Sequence, residues 1–163
     1  MKFRKLFFLI SFLALVTVVN AQVANIADPR LKIHLTTPNG DSLALSSLKG
    51  KVVLLDFWAS WCPPCRSGNK KLAKIYKKYN PEGFEIFGVS LDEDERDWKK
   101  AIEKDKISWL QVIDPRGQMA TTAIDWNVYA LPTSYLINKS GDVVGIGLEG
   151  KELEKALVKL LKE

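Results

Sequence analysis

The chain is poor in the residues that build metal centres and disulfide scaffolds. Its 163 residues include two cysteines and one histidine. A structural zinc site takes about four ligands, so Cys62, Cys65 and His34 fall short of one and no metal is expected. A secreted disulfide scaffold spreads its bridges across loops. Here only two residues separate the cysteines, and a bridge closing so small a loop constrains the unfolded chain little. The apolar run at the N-terminus, Leu6 to Val19, is short of the ~20 residues that cross a bilayer. No cysteine stands beside Ala21, so a bacterial lipid anchor is not indicated. Internal repeats and low-complexity segments are absent.

What the N-terminus does hold is a basic start (Lys2, Arg4, Lys5), the apolar run, and Val19-Asn20-Ala21 before Gln22. That is the pattern of a secretory signal peptide over residues 1–21, with an uncleaved membrane anchor as the alternative. The remaining residues, 22–163, suffice for one domain with a sizeable core. Removing residues 1–21 takes away three basic residues and no acid. The balance falls from 24 against 19 to 21 against 19, or +2. A charge that small does not argue for nucleic acid.

The rest of the chain is organised around Lys51 to Arg66, Lys-Val-Val-Leu-Leu-Asp-Phe-Trp-Ala-Ser-Trp-Cys-Pro-Pro-Cys-Arg. An apolar run, Val52 to Trp58, reads as a buried strand. Beyond the cysteines Leu72, Ile75, Tyr76 and Tyr79 recur at helical spacing. A residue before proline avoids the helical region, which suits Cys62 to an N-cap, and prolines are tolerated in the first helical turn. An N-cap side chain accepts from the N–H of N2 or N3. N2 is Pro64 and has no N–H, which leaves the N–H of Cys65. That hydrogen bond and the helix dipole favour the Cys62 thiolate. The expectation is an exposed, activated Cys62 with Cys65 one turn behind it.

Taken in order, Leu31 to Thr37 and Ser42 to Leu45 alternate about Asn39-Gly40, a hairpin signal. His34 reads as an outward strand side chain. Phe84 to Ser90 is a second apolar strand, and Asp92 to Glu95 read as acids opening the next helix, whose apolar face is Trp98, Ala101 and Ile102. Trp109 to Ile113 is a short strand. Met119, Ala120 and Ala123 suggest a helix ending near Asn127. Thr133 to Ile137 and Val143 to Leu148 flank a turn, and Lys151 to Lys162 is a helix burying Leu153, Leu157, Leu160 and Leu161. The order β-β-β-α-β-α-β-α-β-β-α predicts an α/β domain, a mixed central sheet with helices on both faces and an N-terminal β-hairpin.

The segment from Asp56 to Cys65 resembles the active site of the thioredoxin superfamily. Its Pro-Pro pair, and Gly50-Lys51 before the strand, resemble the extracytoplasmic thiol–disulfide oxidoreductases of the TlpA/ResA kind, from about Leu31 to the C-terminus. The resemblance implies a thioredoxin-like fold and a redox-active Cys62–Cys65 disulfide with no further cofactor. It implies protein disulfide or thiol substrates in the cell envelope, apocytochrome c thiols among the candidates, a membrane or periplasmic electron donor, a monomer and a periplasmic location. It makes Leu131-Pro132 a cis bond beside the disulfide. Trp61, Pro63, Leu131 and Pro132 become candidate substrate contacts, with Trp58 left to the core. Asp56, a carboxylate inside an apolar strand, would lie below Cys65 with a raised pKa and take its proton. The plainer reading has Asp56 on an exposed face. Two positions depart from the pattern: Gly68 stands where relatives often carry an acid, and Lys70 where they carry a kinking proline.

Two other readings compete. A peroxidase of the peroxiredoxin kind carries Pro-x-x-x-Thr/Ser-x-x-Cys, but Leu55 and Ala59 occupy those positions before Cys62. A non-catalytic binding module or holdase would keep the fold and use the disulfide only structurally.

Overall fold

The chain's apolar runs Val52 to Trp58 and Phe84 to Ser90 become its central strands. The computed structural model describes residues 32–163. Its elements are β1 (His34–Thr36), β2 (Ser42–Ala44), β3 (Val52–Trp58), α1 (Pro63–Tyr79), β4 (Phe84–Ser90), α2 (Glu95–Asp105), β5 (Leu110–Ile113), α3 (Thr121–Asp125), β6 (Thr133–Ile137), β7 (Val143–Ile146) and α4 (Gly150–Leu160). The order is the one read from the sequence. The expected signal peptide lies outside the described residues.

The strands form one sheet in the order β2-β1-β5-β4-β3-β6-β7. β3 pairs in parallel with β4, and β4 with β5, while β6, β7 and the β1–β2 hairpin add antiparallel edges. Every residue of β3 and β4 is buried, as expected where both faces are covered. Alternation sorts their side chains. Val53, Leu55 and Phe57 point toward α3, Trp126 and the turn at Leu45–Leu48. Val52 and Leu54 point toward α1 and α4, against Ile75, Tyr79, Leu153 and Leu157. By the same period of two, Asp56 belongs to the α1 face.

A third cluster closes the C-terminal end of β3. It joins Trp58, Ala59, Cys62 and Cys65 to Trp98 and Ala101 of α2 and to Ile113. Gln111 reaches across Gly88 to accept the Trp58 indole N–H at 2.8 Å. A Cβ on Gly88 would lie 2.2 Å from that Gln111 side chain, so only glycine leaves the gap. Trp58 is thereby fixed beneath the turn that carries the cysteines.

Several elements differ from the sequence reading. β1 begins at His34 rather than Leu31. Met119 lies in a short 3-10 turn and is exposed, and α3 is only five residues long. Leu161 is only partly buried, because α4 ends at Leu160. His34 does face outward, and its ring shares a 2.8 Å hydrogen bond with Ser42.

Candidate active site

β3 runs out at Trp58 and α1 begins at Pro63, so four residues make the connection. Ser60 is the anchor of that turn. Its N–H and hydroxyl donate to the Asp92 carboxylate at 2.9 and 2.6 Å. Its carbonyl accepts from the Arg66 guanidinium at 3.1 Å. Arg66 in turn makes a two-pronged pair with Asp105, which also accepts from Asn69 at 3.0 Å. The Asp105 carboxyl is held below its ordinary pKa: burial opposes ionisation, and the hydrogen bonds from Arg66 and Asn69 outweigh it. Asp92 is not a helix-opening acid. That place belongs to Asp94, which caps α2. Asp92 is buried, accepts also from the Ser90 hydroxyl, and serves the active-site turn instead.

Cys62 is the N-cap of α1, in extended conformation, and its sulfur accepts from the Cys65 N–H at 3.2 Å. Pro63 and Pro64 supply the first turn, which holds no acid. The two cysteines are bridged. The expectation of an exposed Cys62 is corrected: both cysteines are 3% exposed. The bridge draws the two sulfurs together, and the cluster that packs them includes Trp98, Ala101, Ile113 and Leu131. What separates the two is the N-cap geometry, not access. Trp61, directly before the pair, is 55% exposed, whereas Trp58 is buried.

The Leu131–Pro132 bond is cis. Register explains where it falls. Thr133 pairs with Phe57, so Pro132 lies just past that pair, beside the end of β3. Leu131 packs on the disulfide cluster. Pro132, Asp56, Cys65, Gly68 and Glu149 line one cavity of about 240 Å³.

Asp56 is buried, and among the described residues its carboxylate has no hydrogen-bond partner. Burial, with the Glu149 carboxylate adding to it, pushes its pKa up from 3.8 to about 7. The exposed-face reading of Asp56 is therefore excluded. A Cβ on Gly68 would meet nothing within 4 Å, so the acid missing from that position leaves open space beside Cys65. Lys70 is exposed. Among the described residues no group of three His, Cys, Asp or Glu is placed to hold a metal ion.

Sequence reasoning missed Ser60, Asp92, Asp105 and Glu149. Ser60 and Asp92 lie 32 residues apart and Arg66 and Asp105 39, and no local pattern marks such pairs. The family model described as Redoxin matches residues 22–161. The chain belongs to the Redoxin family. It is 32% identical over 129 residues to the thiol-disulfide oxidoreductase ResA of Bacillus thuringiensis subsp. konkukian, covering 79% of this chain and 72% of that one. Among solved structures, a thiol-disulfide oxidoreductase from Bacteroides fragilis is similar at 34% identity and a TM-score of 0.74, over 78% of this chain and 96% of that one. The thioredoxin domain of a thiol-disulfide oxidoreductase from Bacteroides vulgatus is similar at 36% and 0.74, over 79% and 92%. Within the Redoxin family, the chain is a thiol–disulfide oxidoreductase of the thioredoxin superfamily, of the TlpA/ResA kind, with a bridged Cys-Pro-Pro-Cys centre.

Proposed function

We propose that the chain reduces, or exchanges, disulfides in proteins of the cell envelope, with Cys62 attacking and Cys65 resolving. The observation that carries this order is the N-cap geometry: Cys62 Sγ, and not Cys65 Sγ, accepts a backbone N–H at the positive end of α1. Both interactions stabilise a thiolate. In the reduced enzyme the Cys62 thiolate attacks one sulfur of a substrate disulfide. That S–S bond breaks, and the other substrate sulfur leaves as a thiolate and is protonated by water. Cys65 then gives its proton to Asp56 and attacks Cys62 Sγ. The mixed disulfide breaks, the second substrate sulfur leaves as a thiolate and takes a proton from water, and the enzyme keeps the bridge. Two electrons have moved to the substrate, and a membrane or periplasmic donor returns them. The pair needs no further cofactor.

Trp61, Pro63, Leu131 and Pro132 are the surface on which the substrate lies in this scheme. Trp61 offers an exposed aromatic face beside Cys62. Residues 1–21 act as a signal peptide ahead of a domain spanning 22–163, which works outside the cytoplasm as a monomer. Apocytochrome c thiols and misoxidised envelope proteins are the candidate substrates. Insulin reduction by dithiothreitol tests the reading. Acceleration by the protein that vanishes in Cys62→Ser supports it; no acceleration at all returns the weight to a binding module. The peroxidase reading lacks its residues, since Leu55 and Ala59 are fully buried apolar side chains.

A further inference from the structure

The six charged residues of α1 are all cations: Arg66, Lys70, Lys71, Lys74, Lys77 and Lys78. The rest of residues 32–163 carries 14 basic and 18 acidic side chains, a net −4 against +6 on this one helix. At about 100° per residue the six cations fall within an arc of roughly 140°. The buried Cys65, Asn69, Ile75 and Tyr79 occupy the opposite side. Arg66 is bridged to Asp105 and Lys78 to Glu154. Lys70, Lys71, Lys74 and Lys77 are exposed, and none is in an ion pair among the described residues. Lys70 interacts at longer range with Asp105, whose charge Arg66 already meets.

A solvated helix face does not require this. α2 pairs Lys99 with Glu95 and Lys100 with Asp97 along its own surface, and α4 alternates Lys151, Lys155 and Lys159 with Glu152 and Glu154. Such interleaving stabilises a helix, and like charges one turn apart oppose it. The helix dipole offsets the repulsion only at Lys77 and Lys78, in the last turn. Lys70, Lys71 and Lys74 gain nothing from it. The uncompensated face starts at Lys70, five residues after Cys65, and runs about 10 Å along the axis to Lys77. A protein whose sulfur reaches Cys62 must lie over the start of this helix.

We propose that the outer face of α1 is a docking surface for acidic protein: the partner that exchanges disulfides with Cys62 carries Asp or Glu beside its own cysteine. This rests on the exchange reading above and adds the chemistry of the partner. The charges act by steering, raising the rate of encounter, and salt screens them.

The test uses the reduced full chain and three disulfide-bridged peptides with one core sequence, flanked by four aspartates, four serines or four lysines. Each rate is divided by the rate of dithiothreitol with the same peptide, which removes the peptide's own reactivity. At low salt the aspartate peptide is expected to react at least about tenfold faster than the lysine peptide, with the gap closing near 0.5 M salt. The triple variant Lys70→Gln, Lys74→Gln, Lys77→Gln should lose most of that gap and leave the serine-peptide rate unchanged, since glutamine keeps the helix. Equal rates at low salt, or a gap that survives in the triple variant, overturn the proposal. Failure of all three peptides, serine included, removes the exchange reading and this proposal with it. Absence of a gap, together with binding to phosphatidylglycerol vesicles that the triple variant loses, replaces the acidic protein with a lipid surface. Absence of a gap with low-salt dimerisation in light scattering replaces it with the acidic start of α2 on a second copy.

Discussion

Two regions flank the Cys62–Cys65 bridge, and they are built in opposite ways. On the Cys62 side, all three polar groups of Ser60 are paired, to Asp92 and to Arg66, and Arg66 is itself held by Asp105. On the Cys65 side, the Asp56 carboxylate stands in a cavity with Glu149 and has no hydrogen-bond partner among the described residues. Satisfied networks fix geometry. An unpaired buried carboxylate is costly when ionised and binds a proton near neutral pH instead. The turn before Cys62 is held in position, whereas the cavity behind Cys65 contains a carboxyl that exchanges its proton near neutral pH, as the proposed proton transfer from Cys65 requires.

The largest effect is expected at the cysteines themselves, because the two sides of the bridge give them unequal roles. Cys65→Ser should accumulate mixed disulfides with cell-envelope proteins, because an outside thiol resolves them far more slowly than an adjacent one. Cys62→Ser should accumulate none. Mass spectrometry of the trapped species reads the result and names the substrates; equal trapping by both variants contradicts the order of attack.

Asp56→Asn is expected to have the next largest effect. The folded pKa of about 7 exceeds the ordinary 3.8, so the folded state holds its proton more tightly. Below about pH 3.8 both states are protonated and the carboxyl costs nothing. From there to about pH 7 the unfolded chain ionises first and stability falls; above pH 7 the whole cost remains. At 1.36 kcal/mol per pKa unit, that cost is at most about 4 kcal/mol. Asp56→Asn should therefore raise stability at pH 8 and change it little at pH 4. It should also slow resolution by Cys65 more than attack by Cys62. Urea melts at the two pH values with rapid-quench kinetics check both, and a pH-independent difference in stability would refute the proton-handling role.

On the other side, Asp92→Ala leaves the Ser60 and Ser90 donors without their acceptor. A loss of about 3 kcal/mol in stability is expected, with slower attack by Cys62 and an unchanged pH dependence of resolution. A shift in that pH dependence would show that the two regions are coupled.

The smallest effect is expected from Gly68→Glu. The side chain enters open space next to Cys65, where a carboxylate opposes a second negative charge. The Cys65 thiol pKa should rise by about one unit, while the loss of a helical glycine adds somewhat under 1 kcal/mol of stability. Alkylation against pH measures the first. An unmoved thiol pKa with the stability gain intact would mean the new carboxylate turns to solvent.

Much of this protein is legible from short-range signals. The apolar runs at Val52–Trp58 and Phe84–Ser90, the Asn39-Gly40 turn and the helical period after Cys65 act over a few residues, and each element they announce is present. The Cys62 cap is equally local, because prolines at 63 and 64 leave the Cys65 N–H as the donor. Where a residue's role depended on a distant partner, the sequence was ambiguous or misleading. Asp92 sits beside the acids that open α2, yet its carboxylate meets Ser60, on the other side of β4 in the chain. Asp56 fitted either face of β3 until α1 and α4 covered one of them.

The sequence by itself determined the strand–turn–helix that carries the dithiol and the positive charge along α1, because both follow from residues adjacent in the chain. Only the tertiary structure decided that both sulfurs are buried, that Asp56 lies in the Cys65 cavity beside Glu149, and that Ser60 is held by Asp92 from the segment between β4 and α2. Burial and desolvation are set by what packs against a group, and here the packing elements, α2, α4 and the Leu131–Pro132 turn, come from parts of the chain 30 or more residues away.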